Sequence, residues 1–273
     1  MDLNLTMIII IILFGFIAAF IDSVVGGGGL ISTPALLAIG LPPSVALGTN
    51  KLASSFGSLT STIKFIRSGK VDLYVVAKLF GFVFLASACG AYIATMVPSQ
   101  ILKPLIIIAL SSVFIFTLLK KDWGNTRTFT QFTFKKAILF AALFILIGFY
   151  DGFVGGGTGS FMLFVLLVFG FDFLSAAGNA KVLNFASNIG ALVLFMVLGQ
   201  VDYVIGLIMA TSMIAGSYTG AHFAIKQGVG YVKVLFIIIT AILILKNAFD
   251  YIVKSRLLCK MLYNVFTIST YQN

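Results

Sequence analysis

Two lysines stand inside stretches that are otherwise apolar, where hydrocarbon resists a charge. Lys51 closes the run Gly48-Thr49-Asn50-Lys51, and Lys181 closes Gly178-Asn179-Ala180-Lys181. Thr49, Asn50, Ser54 and Ser55 accompany the first; Asn179, Asn184, Ser187 and Asn188 accompany the second. An intramembrane lysine costs about 2.5–3.5 kcal/mol on insertion scales. It persists either by snorkelling from a helix end or by lining a polar cavity. In a cavity its ammonium is a fixed positive charge where water is scarce, and an anion held there loses little to screening. Two such lysines would neutralise a dianion, or hold one anion at a time from each side. Removing an intramembrane charge does not by itself harm folding. Replacing either lysine is therefore expected to weaken anion binding and leave the fold intact.

Two carboxylates and two glycine runs have the same symmetry. Asp22 precedes Gly26, Gly27, Gly28 and Gly29; Asp151 precedes Gly155, Gly156, Gly157, Thr158 and Gly159. The aspartates could pair with Lys51 and Lys181, accept a proton, or face headgroup water. Each glycine destabilises a helix by about 1 kcal/mol relative to alanine, and backbone freed at such a break must bond to protein, water or ligand. The bland alternative is a tight turn or close helix packing. Each run precedes an unusually short apolar segment, Leu30–Ile39 or Ser160–Phe169. The N–H groups opening those segments would point at an anion. The expected substrate site therefore comprises Gly26, Gly27, Gly28, Gly29, Asn50, Lys51, Gly155, Gly156, Gly157, Thr158, Gly159, Asn179 and Lys181, with Asp22 and Asp151 for coupling or charge pairing. Tyr150 stands where the first copy has Ile21. His222, the single histidine, replaces Tyr92 and suits helix packing or a proton relay.

These pairs belong to a duplication of nearly the whole chain. The offset is 151 − 22 = 129 at the aspartates and 181 − 51 = 130 at the lysines. Gly69-Lys70-Val71-Asp72 returns as Gly199-Gln200-Val201-Asp202, and Lys103 as Lys233. Hydrophobic residues make up 60% of the 273 and charged residues 10%, with mean hydropathy +1.13, which excludes an ordinary soluble domain. The reading is an all-α polytopic membrane protein of two halves and roughly 8–10 membrane segments. Residues 1–119 form the first repeat, 120–136 a basic and therefore cytoplasmic linker, 137–252 the second repeat and 253–273 a basic tail. The loop bearing Lys64, Arg67 and Lys70 has an uncharged counterpart near Gln200, while Val97–Gln100 lacks the base that Lys226 supplies in its own counterpart. Matched loops then lie on opposite sides, an inverted repeat; the basic tail argues the other way.

Enzyme chemistry finds no footing. There is no His-Glu-x-x-His and no Gly-x-Ser-x-Gly, and one histidine builds no usual zinc site. Cys89 and Cys259 are too few for a disulfide framework. No cofactor or metal is expected. The net charge of +10 lies mostly in loops and tail and suits anionic membrane lipid, not nucleic acid. The start Met-Asp-Leu-Asn-Leu-Thr has no basic region, so the first apolar run reads as a retained helix.

At Asp22–Gly29, Gly48–Lys51, Asp151–Gly159 and Gly178–Lys181 the chain resembles the sulfite exporter TauE/SafE family of membrane transporters. The resemblance covers almost the whole length. It implies a bacterial-type cytoplasmic (inner) membrane protein that moves small anions, notably sulfite or organosulfonates, outward. One departure is that Asn50 has no direct counterpart at Ala180. The expectation is a secondary transporter working by alternating access, with a small anionic substrate and protons as coupling ion. An anion-selective channel and a non-transporting membrane scaffold are the alternatives.

Overall fold

The computed structural model describes residues 4–96, 124–129, 133–239, 241, 242 and 245. The last part of the first repeat (101–119) and the basic tail (253–273) lie outside the described residues. Nine helices are described. They are α1 Leu5–Val25, α2 Gly29–Ala38, α3 Pro43–Arg67, α4 Leu73–Ala94, α5 Phe134–Phe153, α6 Thr158–Val168, α7 Phe173–Val197, α8 Tyr203–Gln227 and α9 Val229–Ile239. Helix starts follow local capping chemistry. Asn4 accepts from Met7 N at 2.8 Å, and Asp172 from Leu174 N and Ser175 N at 3.0 Å each. Asp72 and Asp202, 130 residues apart, cap α4 and α8 in the same way. The register change in the repeat lies in α6, which has 11 residues where α2 has 10.

Five helices, α1, α4, α5, α7 and α8, are long and apolar enough to cross a membrane. The chain is thus a polytopic helical membrane protein. Its outer helices turn apolar side chains such as Leu13, Phe82, Leu146 and Leu207 outward. The polar ones are inside: α3 buries Thr49, Asn50, Lys51, Ser55, Ser58, Ser61 and Thr62. Hydrocarbon solvent reverses the ordinary distribution, because a polar group facing lipid would go unbonded. Helix α3 is as long as α7, at 25 residues each, but its serines, threonines, asparagine and lysine make it too polar to count among the five.

Helix directions follow from close contacts. The start of α3 at Gly48 lies against the Gln200 carbonyl beyond the end of α7, and the start of α7 at Gly178 lies against the Lys70 carbonyl beyond the end of α3. Mid-helix, Asn188 meets Ser58. So α3 and α7, equivalent in the repeat, run antiparallel. Helix α8 runs parallel to α1, with Gly216 on the Phe16 carbonyl and Gly220 on the Phe20 carbonyl. Likewise α5 runs parallel to α4, with Gly148 on the Val83 carbonyl and Gly152 on the Ser87 carbonyl. Each outer pair joins one helix from each half, and small residues permit the close approach.

A methyl at Gly152 would drive into the Ser87 carbonyl, whereas one at Gly81 of α4 meets nothing within 4 Å. Gly152→Ala should therefore destabilise by about 1–3 kcal/mol. Gly81→Ala should be neutral or stabilise by up to about 1 kcal/mol. Thermal unfolding in detergent, followed by circular dichroism, checks both.

Candidate functional site

Each half begins with a long helix that ends just past its aspartate. Helix α1 runs four residues beyond the apolar run Met7–Ile21, and α5 three beyond Ala137–Tyr150, so Asp22 and Asp151 occupy last turns. The chain then breaks. Gly26 and Gly27 have φ of 82° and 92°, Gly155 and Gly157 of 75° and 84°, all in the region that a side chain resists. The two breaks cross each other. Gly26 rests on the backbone of Gly159 and Ser160, and Gly29 on the Gly155 carbonyl. These are one contact seen from the two halves, since 155 − 26 = 129 and 159 − 29 = 130. Ser160 Oγ ties the crossing by donating to the Val25 carbonyl at 3.0 Å.

The ionic groups cross as well. Lys51 Nζ is 2.7 Å from Asp151 Oδ2, and Lys181 Nζ is 2.8 Å from Asp22 Oδ2. Each lysine thus pairs with the aspartate of the other half. Lys51 also donates to Asn188 Oδ1 at 3.1 Å, and Asn188 Nδ2 donates to Ser58 Oγ at 3.4 Å. Ser58 and Asn188 are themselves equivalent by the offset (188 − 58 = 130), so two matched positions meet here. Each lysine is seven residues from that point (58 − 51 and 188 − 181), or about 10 Å along its helix at 1.5 Å per residue. The long lysine stems bring the charges back toward the glycine crossing. A Cβ at Gly155 would lie 3.4 Å from Lys51 Nζ, and one at Gly159 3.4 Å from Lys181 Nζ.

The two pairs differ in access to water. Lys51 and Asp151 are both 2% exposed in their side chains, and Lys181 is 1% exposed, but Asp22 is 22% exposed. Asp22 Oδ1 additionally accepts from Gly28 N at 3.2 Å. A protein carboxylate therefore already takes a backbone N–H and an ammonium at the first break. Between the pairs lies a cavity of about 20 Å³, the room of about one water. Asp22, Lys51, Asp151, Asn50, Gly27–29, Gly155, Gly159, Asn184 and Asn188 are among its walls, and α8 contributes Met213 and Ser217. Asn50 is buried there, and its Oδ1 has no partner among the described residues. The amide has the same shape turned over, which would present its NH₂ to the cavity.

Most residues expected from the sequence meet here, and some do not. Lys181 stands behind Asp22 and Gly159, off the cavity wall. Gly26 lies at the crossing. Gly156 accepts the Tyr150 O–H at 2.6 Å, and Gly157 caps α6. Thr158 is buried at the start of α6 and off the wall, its Oγ1 without a hydrogen-bond partner among the described residues. Asn179 sits apart from the cavity. Its Oδ1 accepts from Asp72 N at 2.9 Å, and its Nδ2 donates to the Ser175 carbonyl at 2.7 Å. Thr49 does the same work in the other half, accepting from Asp202 N at 2.9 Å. Asn184 and Asn188, polar company for Lys181 in the sequence, serve the site of Lys51 instead. Their spacing of three and seven residues from Lys181 places them on its helix face, which is the available signal. Among the described residues no three His, Cys, Asp or Glu side chains gather around a metal position.

Residues 11–247, spanning both breaks and both ion pairs, match the sequence pattern described as sulfite exporter TauE/SafE. The chain belongs to the sulfite exporter TauE/SafE family. Family membership makes it a membrane transporter, not an enzyme. It is 36% identical over 254 residues to a "Probable membrane transporter protein" of Haemophilus influenzae, covering 92% of this chain and 98% of that one. It is 36% identical over 250 residues to "Probable membrane transporter protein ORF9" of Sinorhizobium sp, with coverage of 91% and 95%. Against "Probable membrane transporter protein YfcA" of Escherichia coli K12 the identity is 34% over 237 residues, with coverage of 86% and 87%. No solved structure matches.

The crossed pairs revise the expectation that either lysine can be removed without harm to the fold. Lys51→Gln strands the Asp151 carboxylate in a dry site, a class of change that costs about 3–5 kcal/mol. Lys51→Gln/Asp151→Asn removes both charges and should recover most of that loss. Lys181→Gln should cost less than Lys51→Gln, because Asp22 reaches water. Melting midpoints of the three variants in detergent check this order.

Proposed function

We propose that this TauE/SafE-family protein is a secondary transporter, in the exporting sense, of a small anion such as sulfite or an organosulfonate. It works by alternating access across a bacterial-type cytoplasmic membrane. The observation that carries the reading is the pair of crossed lysine–aspartate bridges at two meeting helix breaks. A buried ammonium held by an internal carboxylate is a site that an external carboxylate, sulfonate or sulfite can enter by exchange. Asp22 illustrates the fit, accepting from Lys181 and from the Gly28 N–H. Asn50, with its unpartnered oxygen on the cavity wall, supplies a neutral polar contact in the first half.

The halves, 1–119 and 137–252 around a cytoplasmic linker at 120–136, act as inverted repeats in this reading. Its support is that the equivalent helices α3 and α7 run antiparallel. Helix α3 then counts as a further span beside the five apolar ones, within a total of 8–10. Alternation is supported by unequal access. The pairs have the same chemistry, yet Asp22 is partly exposed and Asp151 is not. A carrier is favoured over a channel because the cavity between the pairs admits only about one water. A scaffold with glycines for packing alone gives no role to two charged pairs in its centre.

Reconstituted protein should take up labelled sulfite, sulfoacetate, thiosulfate or acetate into vesicles preloaded with the same unlabelled anion. The folded variant Lys51→Gln/Asp151→Asn should reduce that exchange at least tenfold. Exchange unchanged in this variant would return the pair to a structural role. For the inversion, single cysteines at Ser68 and Gln200, in a background lacking Cys89 and Cys259, should react with a membrane-impermeant thiol reagent from opposite faces. Labelling from one face would make the repeat parallel.

A further inference from the structure

The charges of the site sum to zero, and that count fixes what must accompany the substrate. Lys51 pairs with Asp151 and Lys181 with Asp22; among the described residues Asp22, Lys51 and Asp151 are the charged side chains that line the cavity, and Lys181 stands behind Asp22. Helices α3 and α7 add only neutral groups, Asn50, Ser54, Ser58, Asn184 and Asn188, to their lysines. Helix α8 presents Met213 and Ser217, and α2 and α6 present glycines. Leu235 and Ile239 of α9 share with α1 a groove lined only by apolar side chains. Helix α4 meets α5 near Gly152 through the backbone of Ser87 and Ala91. The Tyr150 hydroxyl is committed to the Gly156 carbonyl, and His222 is exposed beside Phe223.

We infer that each negative charge of the substrate enters with one proton, which an aspartate of the crossed pairs accepts, so that the loaded carrier is electroneutral. The inference rests on the anion-site reading above. An anion that takes Lys51 leaves Asp151 as an unpaired carboxylate with almost no water. Such a group neutralises itself by binding a proton before it stays charged. The step balances. The carboxylate–ammonium pair, an anion and a proton become a carboxylic acid and an anion–ammonium pair; release on the far side reverses it and restores the salt bridge. A monoanion engages one pair and one proton, a dianion both pairs and two protons. In the state described here Asp22 is the member with access to water. Asp151 takes that part when the cavity faces the other way. Both the empty carrier, with its bridges closed, and the loaded carrier cross without net charge. Outward movement then follows whenever the anion accumulates inside by more than the pH difference opposes.

The test uses the full chain in proteoliposomes with two impermeant probes, methanesulfonate with one negative charge and sulfoacetate with two. Exchange of labelled probe is measured first. Net uptake is then driven by an acid exterior with potassium and valinomycin clamping the membrane potential, while an internal pH dye counts protons. The expected result is exchange, uptake driven by the pH difference, no change in rate between clamped potentials of opposite sign, and one proton per charge carried. In Asp22→Asn/Asp151→Asn the proton count should fall to less than a tenth. If that variant fails to fold, the wild-type proton count decides alone. Exchange together with potential-driven uptake and no proton entry would overturn the coupling and leave the anion site standing. No exchange of either probe, or of sulfite, would overturn the site reading and this inference with it.

Discussion

A charge buried away from water must be matched by an opposite charge within bonding distance, and the architecture follows from meeting that demand twice. Each lysine projects from the buried face of α3 or α7, and its partner carboxylate comes from the other half. To reach it, the helix that carries the aspartate must end deep in the protein. Glycines end it there and let the two broken backbones cross, because a side chain at Gly26 or Gly29 would collide with the opposing strand of chain. A buried helix end leaves N–H and carbonyl groups unbonded. Here they are met by Asp22 on Gly28 N and by Ser160 on the Val25 carbonyl. The crossed pairs also lock the halves together, since neither half can satisfy its own lysine alone.

Much of this was legible in the residues. The 129-to-130 offset gave the equivalences, hydropathy gave the outer helices, and the isolated lysines and aspartates gave the charged centre. Who pairs with whom was not legible. Equivalence under a repeat says that Lys51 and Lys181 play the same part. It leaves open whether each bonds within its own half or across, and that depends on the path of the chain after each break. Asn179 shows the same limit. It stands two residues before a site lysine, yet by offset it corresponds to Thr49, and both bond the N–H of the capping aspartate across the interface. Two residues apart on a helix, Asn179 and Lys181 point about 160° away from each other, so their spacing argued against a shared cavity. Asn188, two turns from Lys181, had the better claim.

Symmetry governs the chemistry, and small departures from it govern the state. The second break carries Tyr150, whose hydroxyl holds the Gly156 carbonyl, where the first break has Ile21. The first break is held instead by the Asp22 carboxylate on Gly28 N. These ties differ in kind. The tyrosine acts independently of the ion pair, whereas Asp22 binds its loop and Lys181 with the same carboxylate. The lysine is held by Oδ2 and the N–H of the first break by Oδ1 of this one carboxylate, so a movement of Asp22 is felt at both. The Tyr150 tie holds the second break without using Asp151, so displacing Asp151 from Lys51 leaves it in place. The two breaks thus carry the same charges on different fastenings, and one pair rests partly open to water while the other is closed.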